Sequence, residues 1–384
     1  METRKLYYED SHLASFTARV LSCEKTEKGW EIALDATAFY PEGGGQAADT
    51  GTLDAVHVLH TRERQGQVLH LCDGPLEPGR GVRGTIDFSR RFGLMQQHSG
   101  EHMVSGIIHR RYGFHNTGFH VGSEIITIDF DGVIPAEDLP AIEAEANGAV
   151  WQDLPVKCWV PAPEVLATIP YRTKRALPWP VRIVEFPGMD ICACCGTHVR
   201  RTGEIGLIKL FTAIPFRGGT RMEMACGRFA LKLLNQAYDQ NRQVSQAFSA
   251  KITETGEAAR RMNETLARQK YRITGLERQL FRGIAERYGQ CGDVVHFEEG
   301  MDSDALLELA DTLAQVCGGV AAVFSGSDEE GYGYCLVTRK GDLRELGREM
   351  THTLSGRGGG KPLFQRGRVM ATKTAISAFF AAKK

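Results

Sequence analysis

With 384 residues the chain can hold two to four domains with substantial cores. It shows no cleavable signal and no apolar run of about 18 residues, which excludes secretion and membrane spanning as expectations, and its ten cysteines then read as reduced thiols or metal ligands of a cytoplasmic protein. The formal charge of -1 argues against a nucleic-acid partner only as an average: from Arg200 to Gln290 seventeen basic residues stand against eight acidic ones, an excess of nine. Such a stripe attracts a phosphate backbone, or is a solvated helical face.

In chain order, residues 1–88 contain short alternating segments at Ala18–Leu21, Trp30–Leu34, Val56–Leu59, Val68–Leu71 and Gly81–Phe88, punctuated by Gly, Pro and Asp. This is the pattern of a small N-terminal β-barrel or sandwich. Ser89 is the expected cap of a helix that stops at Gly113 and carries His98 and His102 on one face. A strand over Ile125–Phe130, a helix over Ala136–Trp151 and strands at Val156–Val160, Val181–Phe186, Leu207–Ile214 and Arg221–Ala225 complete an α+β domain over residues 89–227. Apolar positions from Leu231 to Ile284 then predict a helical segment over 228–289, either a hairpin broken near Thr253–Gly256 or a longer coiled coil. Residues 290–384 read as a C-terminal α/β domain, with strands at Val294–Phe297, Val320–Ser325 and Tyr334–Thr338 and helices at Ser303–Val316 and Leu343–Thr353. The fold class expected is α+β, multidomain.

Two separated motifs supply candidate metal ligands. His98-Ser-Gly-Glu-His102 offers two imidazoles one turn apart, and Cys194-Cys195-Gly196-Thr197-His198 adds a thiolate and a third imidazole. One Cys with three His suits the tetrahedral N/S preference of zinc. Glu101 precedes the second His instead of following the first, so the zinc-protease pattern lacks its general base. The bland alternatives are a packed His pair and a redox pair among Cys192, Cys194 and Cys195.

The run from Cys194 through Arg200-Arg201-Thr202-Gly203-Glu204-Ile205-Gly206, together with Phe39-Tyr40-Pro41-Glu42-Gly43-Gly44-Gly45-Gln46 and Asp49-Thr50-Gly51, resembles the editing domain of alanyl-tRNA synthetases and the freestanding AlaX editing proteins. The resemblance covers roughly the first 225 residues. It implies a zinc-dependent hydrolase that removes serine, and in some members glycine, from mischarged tRNA specific for alanine, with one zinc per chain held by His98, His102, Cys194 and His198. Cys195 stands where many members have glycine, which leaves Cys194 and Cys195 both open as the sulfur ligand; the i, i+4 spacing to His198 favours Cys194. Because the barrel opens the chain, no synthetase catalytic domain is expected before it and ATP-driven aminoacylation is expected to be absent.

The residues suggest further roles. Gly43, Gly44 and Gly45 would let backbone amides approach a terminal adenosine or the ester, and Gln46 could orient a water or bind an oxygen. Rejecting alanine while accepting serine requires a hydroxyl partner in the site, for which Thr37 is the candidate, its alternative being a β-branched strand residue. The run Gly356-Arg357-Gly358-Gly359-Gly360-Lys361-Pro362 fails the Walker pattern, because Pro follows the Lys. The segment resembles instead the C-terminal domain of alanyl-tRNA synthetases, shared with DHH-family phosphoesterases. That resemblance implies nucleic-acid binding through Gly358, Gly359, Gly360 and Lys361, or dimerisation; a turn needing positive φ is the structural alternative. The partners expected are mischarged tRNA for alanine and a second copy of the chain, joined through the helical segment or the C-terminal domain. Two rival classes remain: a tRNA-binding or dimerisation module with a structural zinc, and a metal-dependent phosphoesterase, which the absence of an Asp-His-His motif disfavours.

Overall fold

Alternation builds the N-terminal sheet. In the segment Gly81–Ile86 the residues Val82, Gly84 and Ile86 are buried while Gly81, Arg83 and Thr85 are exposed, the two-residue period of a strand with one face on a core. The computed structural model describes residues 2–121, 124–173 and 177–383, which form two compact units, Met1–Gln243 and Val244–Lys384.

The first unit opens with β1 (Arg4–Lys5), α1 (Leu6–Glu9), β2 (Ser15–Thr26), β3 (Gly29–Leu34), β4 (Ala36–Thr37), β5 (Gly51–Leu53), β6 (Val56–Arg64), β7 (Gln67–Cys72) and β8 (Gly81–Ile86). Strands β2-β3-β7-β6-β5-β8 close on themselves through antiparallel pairings, and β1 pairs with β4 in parallel. Phe16, Val20, Ile32, Leu34, Phe39 and Leu53 fill the interior.

The helix α2 (Phe88–Tyr112) follows directly. Its cap is Asp87, whose carboxylate accepts from the Arg90 amide at 3.0 Å, not Ser89 as the sequence suggested; the chain turns helical at Phe88, so Ser89 already lies in the first turn. Gly113, at φ 75°, ends the helix where expected. Every residue from Gly93 to Ile108 is buried, because two sheets and a helix surround α2. The sheets are β9 (Asn116–Val121), β10 (Ile126–Phe130), β14 (Ile208–Phe216) and β15 (Gly219–Cys226) in the antiparallel order β14-β15-β10-β9, and β11 (Lys157–Trp159), β12 (Ile183–Phe186) and β13 (Asp190–Ala193) in sequence order. The helix is α3 (Leu139–Trp151), with the short α4 (Pro163–Leu166) after β11. Met103 and Ile107 of α2, Ile142 and Ala146 of α3, and Ile128 and Met222 of the larger sheet share one core. Each such aliphatic side chain taken fully from water contributes about 1.5–3 kcal/mol.

Helix α5 (Gly227–Ala247) and helix α6 (Thr255–Ala285) are separated by residues 248–254, close to the expected break. The second unit continues with β16 (Gly292–Phe297), α7 (Ser303–Val316), β17 (Gly318–Ser327), β18 (Gly331–Thr338), α8 (Arg344–Thr353), β19 (Gly356–Lys361), β20 (Phe364–Val369) and α9 (Lys373–Ala381). Its five-stranded sheet has the order β16-β17-β18-β20-β19, parallel between β16 and β17 and antiparallel elsewhere. The period of β17 divides its side chains: Ala321 and Val323 pack with Leu309 and Leu313 of α7, while Ala322 and Phe324 pack with Met350 of α8 and Ile376 and Phe380 of α9.

The glycine-rich run, for which a turn was the structural alternative, forms the edge strand β19. A side chain at Gly358 would collide with the Tyr334 hydroxyl and the Arg366 carbonyl, and one at Gly360 with the Phe364 carbonyl. Close approach of neighbouring backbone, not positive φ, therefore selects these two glycines.

Candidate metal centre

Four predicted ligands meet. The i, i+4 spacing on α2 aims His98 and His102 the same way, and the segment leaving β13 brings Cys194 and His198 to them, so that the four donor atoms lie within 4.8 Å of one another. The Cys194 Sγ is 3.5 Å from His98 Nε2 and 3.4 Å from His198 Nε2. An ion holding nitrogen at about 2.0–2.1 Å and sulfur at about 2.3 Å in a tetrahedron requires an N···S edge of about 3.5 Å. The spacing fits. His98, His102 and His198 are buried, Cys194 is half-buried, and Cys195 is exposed and outside the cluster, its sulfur against Gly44.

Each imidazole is oriented through its other nitrogen. His98 Nδ1 lies 3.0 Å from Gln46 Oε1, His102 Nδ1 2.9 Å from Asp190 Oδ2, and His198 Nδ1 3.2 Å from Ser99 Oγ. Arg172 clamps Asp190 in turn, with Nε to Oδ1 at 2.7 Å and a terminal nitrogen to Oδ2 at 2.8 Å. Such partners fix the tautomer that leaves Nε2 free for a metal. Gln46 is more committed than the sequence suggested. Its Oε1 also accepts from the Thr197 amide at 3.1 Å and its Nε2 donates to Thr197 Oγ1 at 2.7 Å. A buried amide so engaged orients His98 and ties it to Thr197.

The electrostatics suit a cation. Burial pushes the Cys194 thiol up, but His98, His198 and His102 outweigh it and hold the group well below the ordinary thiol range. Burial lowers His198 to about 3, so its imidazole is neutral, as a ligand must be. At His102 burial works downward, yet the Cys194 thiolate and the Asp190 carboxylate prevail and raise it. A proton there answers the same negative field that would favour a metal ion at the shared centre.

His98, His102 and Cys194 line a cavity of about 1190 Å³, together with Gly44, Glu101, Asn116, Thr117 and Phe119. Gly44 and Gly45, at φ 59° and 82°, are the central residues of a two-residue turn closed by mutual backbone bonds between Gly43 and Gln46 at 3.1 and 2.9 Å. A side chain on Gly45 would strike Phe119, whose ring stacks on His98 at 5.3 Å between centroids. Gly44 lines the cavity.

Thr37 does not. It is fully buried in the barrel, and its Oγ1 lies 2.9 Å from His70 Nε2 and accepts from the Phe39 amide at 3.1 Å. It is absent from the cavity lining, which corrects the expectation of a free hydroxyl beside the glycine turn. Since His70 Nδ1 faces the Ile32 carbonyl at 3.0 Å, Nε2 accepts the Thr37 hydroxyl proton. Thr37→Val is accordingly expected to strand two buried groups and cost about 1–3 kcal/mol, read as a lower urea midpoint; an unchanged midpoint would show that the bond contributes nothing.

Sequence reasoning missed Asp190, Arg172, Ser99, Asn116 and Phe119. One signal was available: Asp190, Cys192 and Cys194 recur every second residue, and a strand there places all three on one face. The other partners are set by pairings distant in sequence.

Fold and centre define a β-barrel joined to an α+β domain with a Cys/His₃ cluster in its cavity wall. The family model described as "Threonyl and Alanyl tRNA synthetase second additional domain" matches residues 181–224, and that described as "tRNA synthetases class II (A)" matches residues 2–90. Alanyl-tRNA editing protein Aarsd1-A of Xenopus laevis is 30% identical over 88% of this chain and 84% of its own length. Alanyl-tRNA editing protein AlaX-L of Pyrococcus horikoshii is 27% identical over 96% and 95%, and the alanine–tRNA ligase of Thermofilum pendens 31% identical over 97% of this chain but 43% of the ligase. The chain belongs to the alanyl-tRNA editing protein family.

Proposed function

We propose that the chain is a zinc-dependent trans-editing hydrolase that deacylates tRNA specific for alanine when it carries serine, or glycine, in place of alanine. The observation that carries this reading is the placement of three of the four ligands in the wall of a cavity, where a purely structural metal would be enclosed. Family membership supports the substrate class. Bound by His98, His102, Cys194 and His198, one zinc per chain supplies Lewis acidity toward an ester carbonyl, a water, or the substrate's amine or hydroxyl. The residues around it do the positioning. Gln46, Asp190 and Ser99 fix the three imidazoles, and Gly44 brings backbone to the cavity edge.

Nucleic-acid affinity is assigned to the second unit, in the region of Gly358, Gly359, Gly360 and Lys361. Support comes from the exposed face of β19, where Arg357 pairs with Arg368 and Gly359 with Arg366, an array of cations beside unshielded strand edge. The exposed apolar residues Leu266, Ile273, Leu276 and Leu280 of α6 support the helical segment as the route to a homodimer. A cytoplasmic setting is in keeping with the lack, among the described residues, of any helix long and apolar enough to cross a membrane.

The test is deacylation of Ser-, Gly- and Ala-charged tRNA for alanine by the full chain. Serine is expected to be released and alanine spared; equal rates on Ser- and Ala-tRNA refute the editing reading, and no release from any of the three refutes it in favour of a tRNA-binding module with a structural zinc. In the same assay Arg366→Ala with Arg368→Ala should raise the tRNA concentration for half-maximal rate and flatten its salt dependence through lost counterion release, with saturating turnover unchanged. An unaltered salt slope removes the second unit from tRNA binding.

A further inference from the structure

Among the described residues the lysines and arginines that line the cavity at the metal centre are Lys5, Arg172 and Arg182. Two of them are neutralised by carboxylates: Arg172 holds both oxygens of Asp190 at 2.7 and 2.8 Å, and Lys5 lies 2.7 Å from Glu63. Arg182 is not. Its side-chain hydrogen bonds among the described residues go to backbone alone, Nη1 donating to the carbonyls of Cys194 and Gly196 at 2.9 Å each. A guanidinium keeps its proton at any pH the protein meets, so the charge follows from the residue itself.

The surroundings fix that charge in one place. The Cys194 amide donates to the Arg182 carbonyl at 3.1 Å, one residue beyond the paired Ile183 and Ala193, which continues the ladder of β12 and β13 and sets Arg182 opposite Cys194. The period of the strand places its side chain on the face of Val184 and Phe186. The Tyr8 ring lies 4.9 Å from the guanidinium carbon, and the Tyr8 hydroxyl is itself anchored on the Cys195 carbonyl at 2.9 Å. The nearby Cys158 thiol, which burial pushes up, adds no countercharge. With Nη1 occupied, the donors left are those of Nε and Nη2, the edge of the fork that matches two oxygens of a phosphate. Neither nitrogen belongs to the buried polar atoms without a partner, so neither is sealed from solvent.

We infer that Arg182 binds the phosphodiester that joins the last two nucleotides of the tRNA 3′ end and thereby sets the terminal ribose over the metal centre. The inference rests on the editing reading for its substrate. Negative charge at an aminoacylated end resides in its phosphodiesters alone, since the ester is neutral and its amine cationic. The last phosphodiester is separated from the ester by a single ribose. Arg182 is separated from the metal centre by a single residue, Cys194, whose carbonyl it holds and whose sulfur belongs to the ligand cluster. It is a positioning residue, because its contact is to the backbone of the tRNA and not to the reacting carbonyl.

The probe is an acceptor-stem minihelix of tRNA for alanine whose 3′ end carries L-serine in amide linkage, which cannot be deacylated and offers no free carboxylate as a competing anion. It is made with phosphodiesters throughout, with a neutral methylphosphonate at the last linkage, or with the methylphosphonate one linkage earlier. Calorimetric titration of the zinc-loaded full chain should show the last-linkage substitution weakening binding about tenfold or more, the factor of one charge-assisted hydrogen bond, and the earlier one weakening it by less than about threefold. Arg182→Gln should bring the last-linkage factor close to one while zinc content by elemental analysis stays at the wild-type level. If Arg182→Gln sheds metal, Arg182→Lys decides: a single ammonium cannot serve the carbonyls and two phosphate oxygens together, so the factor should fall to about half or less. No weakening at the last linkage, equal weakening at both, no binding of the unmodified probe, retention of the wild-type factor in the deciding variant, or loss of metal from both variants each overturns the assignment, the last by making Arg182 a support of the metal centre. Failure of Ser-tRNA deacylation with the last-linkage factor intact would instead overturn only the hydrolase reading.

Discussion

Cys194→Ala and His102→Ala are expected to leave the purified protein with little or no zinc, while Cys195→Ala keeps the one zinc per chain expected of the wild type. The sulfur positions separate the two cysteines: Cys194 lies within 3.5 Å of two imidazole nitrogens, whereas Cys195 is exposed and outside the cluster. Removing Cys194 takes away the only anionic ligand, the thiolate that the three surrounding imidazoles stabilise, and leaves only neutral donors in a buried setting. Asp190→Asn should act more mildly. It keeps an acceptor toward His102 but removes the charge that Arg172 and His102 share, and loss of such an outer partner typically costs 10- to 100-fold in metal affinity. The wild type and the four variants are compared by elemental analysis after dialysis against a graded chelator series. Full occupancy in Cys194→Ala, or an emptied Cys195→Ala, would falsify the ligand assignment. Because metal binding and folding are linked, the wild type should also melt lower after chelation than before it, and Cys194→Ala should not respond.

His98 and His102 were legible because they repeat at the spacing of their helix, and Cys194 and His198 because they sit close together in one Cys/His motif. Nothing comparable marked their supports: Gln46 reaches His98 across 52 residues and Asp190 reaches His102 across 88. Periodicity sees only neighbours in sequence, so Gln46 was read as a free polar side chain and Thr37 as a free hydroxyl, although each is held within the unit. The same cause hid β9, whose Asn116, Gly118 and His120 give no apolar alternation because one of its ends serves the cavity. Helix α2 shows the converse. Its polar residues Gln96, Gln97, Ser99, Glu101 and Ser105 are buried with their hydrogen bonds made inside the protein, so the sequence of a fully enclosed helix looks like that of a surface one. Of the elements in the second unit, α7 falls at the predicted residues, Ser303–Val316, since its cap Asp302 and its apolar stripe are both local signals. Strands β19 and β20 went unread because glycine and arginine dominate them, and α9 went unread despite Thr372, whose hydroxyl caps it by accepting from the Ala375 amide at 3.2 Å.

Arg91→Leu is expected to destabilise the first unit by about 3–5 kcal/mol, the range for breaking a buried ion pair by removing one partner. Arg91 and Asp49 are each fully buried. The guanidinium holds both Asp49 oxygens, with Nε 2.9 and 2.8 Å from them, and also donates to the backbone carbonyls of Ser11 at 3.0 Å and Ala38 at 2.6 Å. Asp49 in turn accepts from the Tyr40 amide at 2.6 Å, which closes the base of the loop carrying Gly43 to Gln46. The motif Phe39 to Gln46 and the Asp49-Thr50-Gly51 triplet are therefore one construction, pinned to the first turns of the ligand-bearing helix. With leucine at position 91 the Asp49 charge stays buried and unpaired, and two carbonyls lose their donor. For a unit of this size each kcal/mol moves the melting temperature by about 2–4 °C, so a fall on the order of 10 °C is expected by calorimetry. The cause is separable from simple loss of packing by combining Arg91→Leu with Asp49→Asn. Asparagine keeps an oxygen for the Tyr40 amide and removes the stranded charge, so the double variant should regain more than half of the lost stability, whereas a mere packing defect would leave it no better than Arg91→Leu alone. Ser11 extends the consequence to the metal centre, because its hydroxyl donates to the His198 carbonyl at 2.9 Å while its own carbonyl is held by Arg91. Arg91→Leu should for that reason also bind zinc more weakly than Asp49→Asn with the arginine intact, and equal metal affinity in the two would confine the effect of the pair to the barrel.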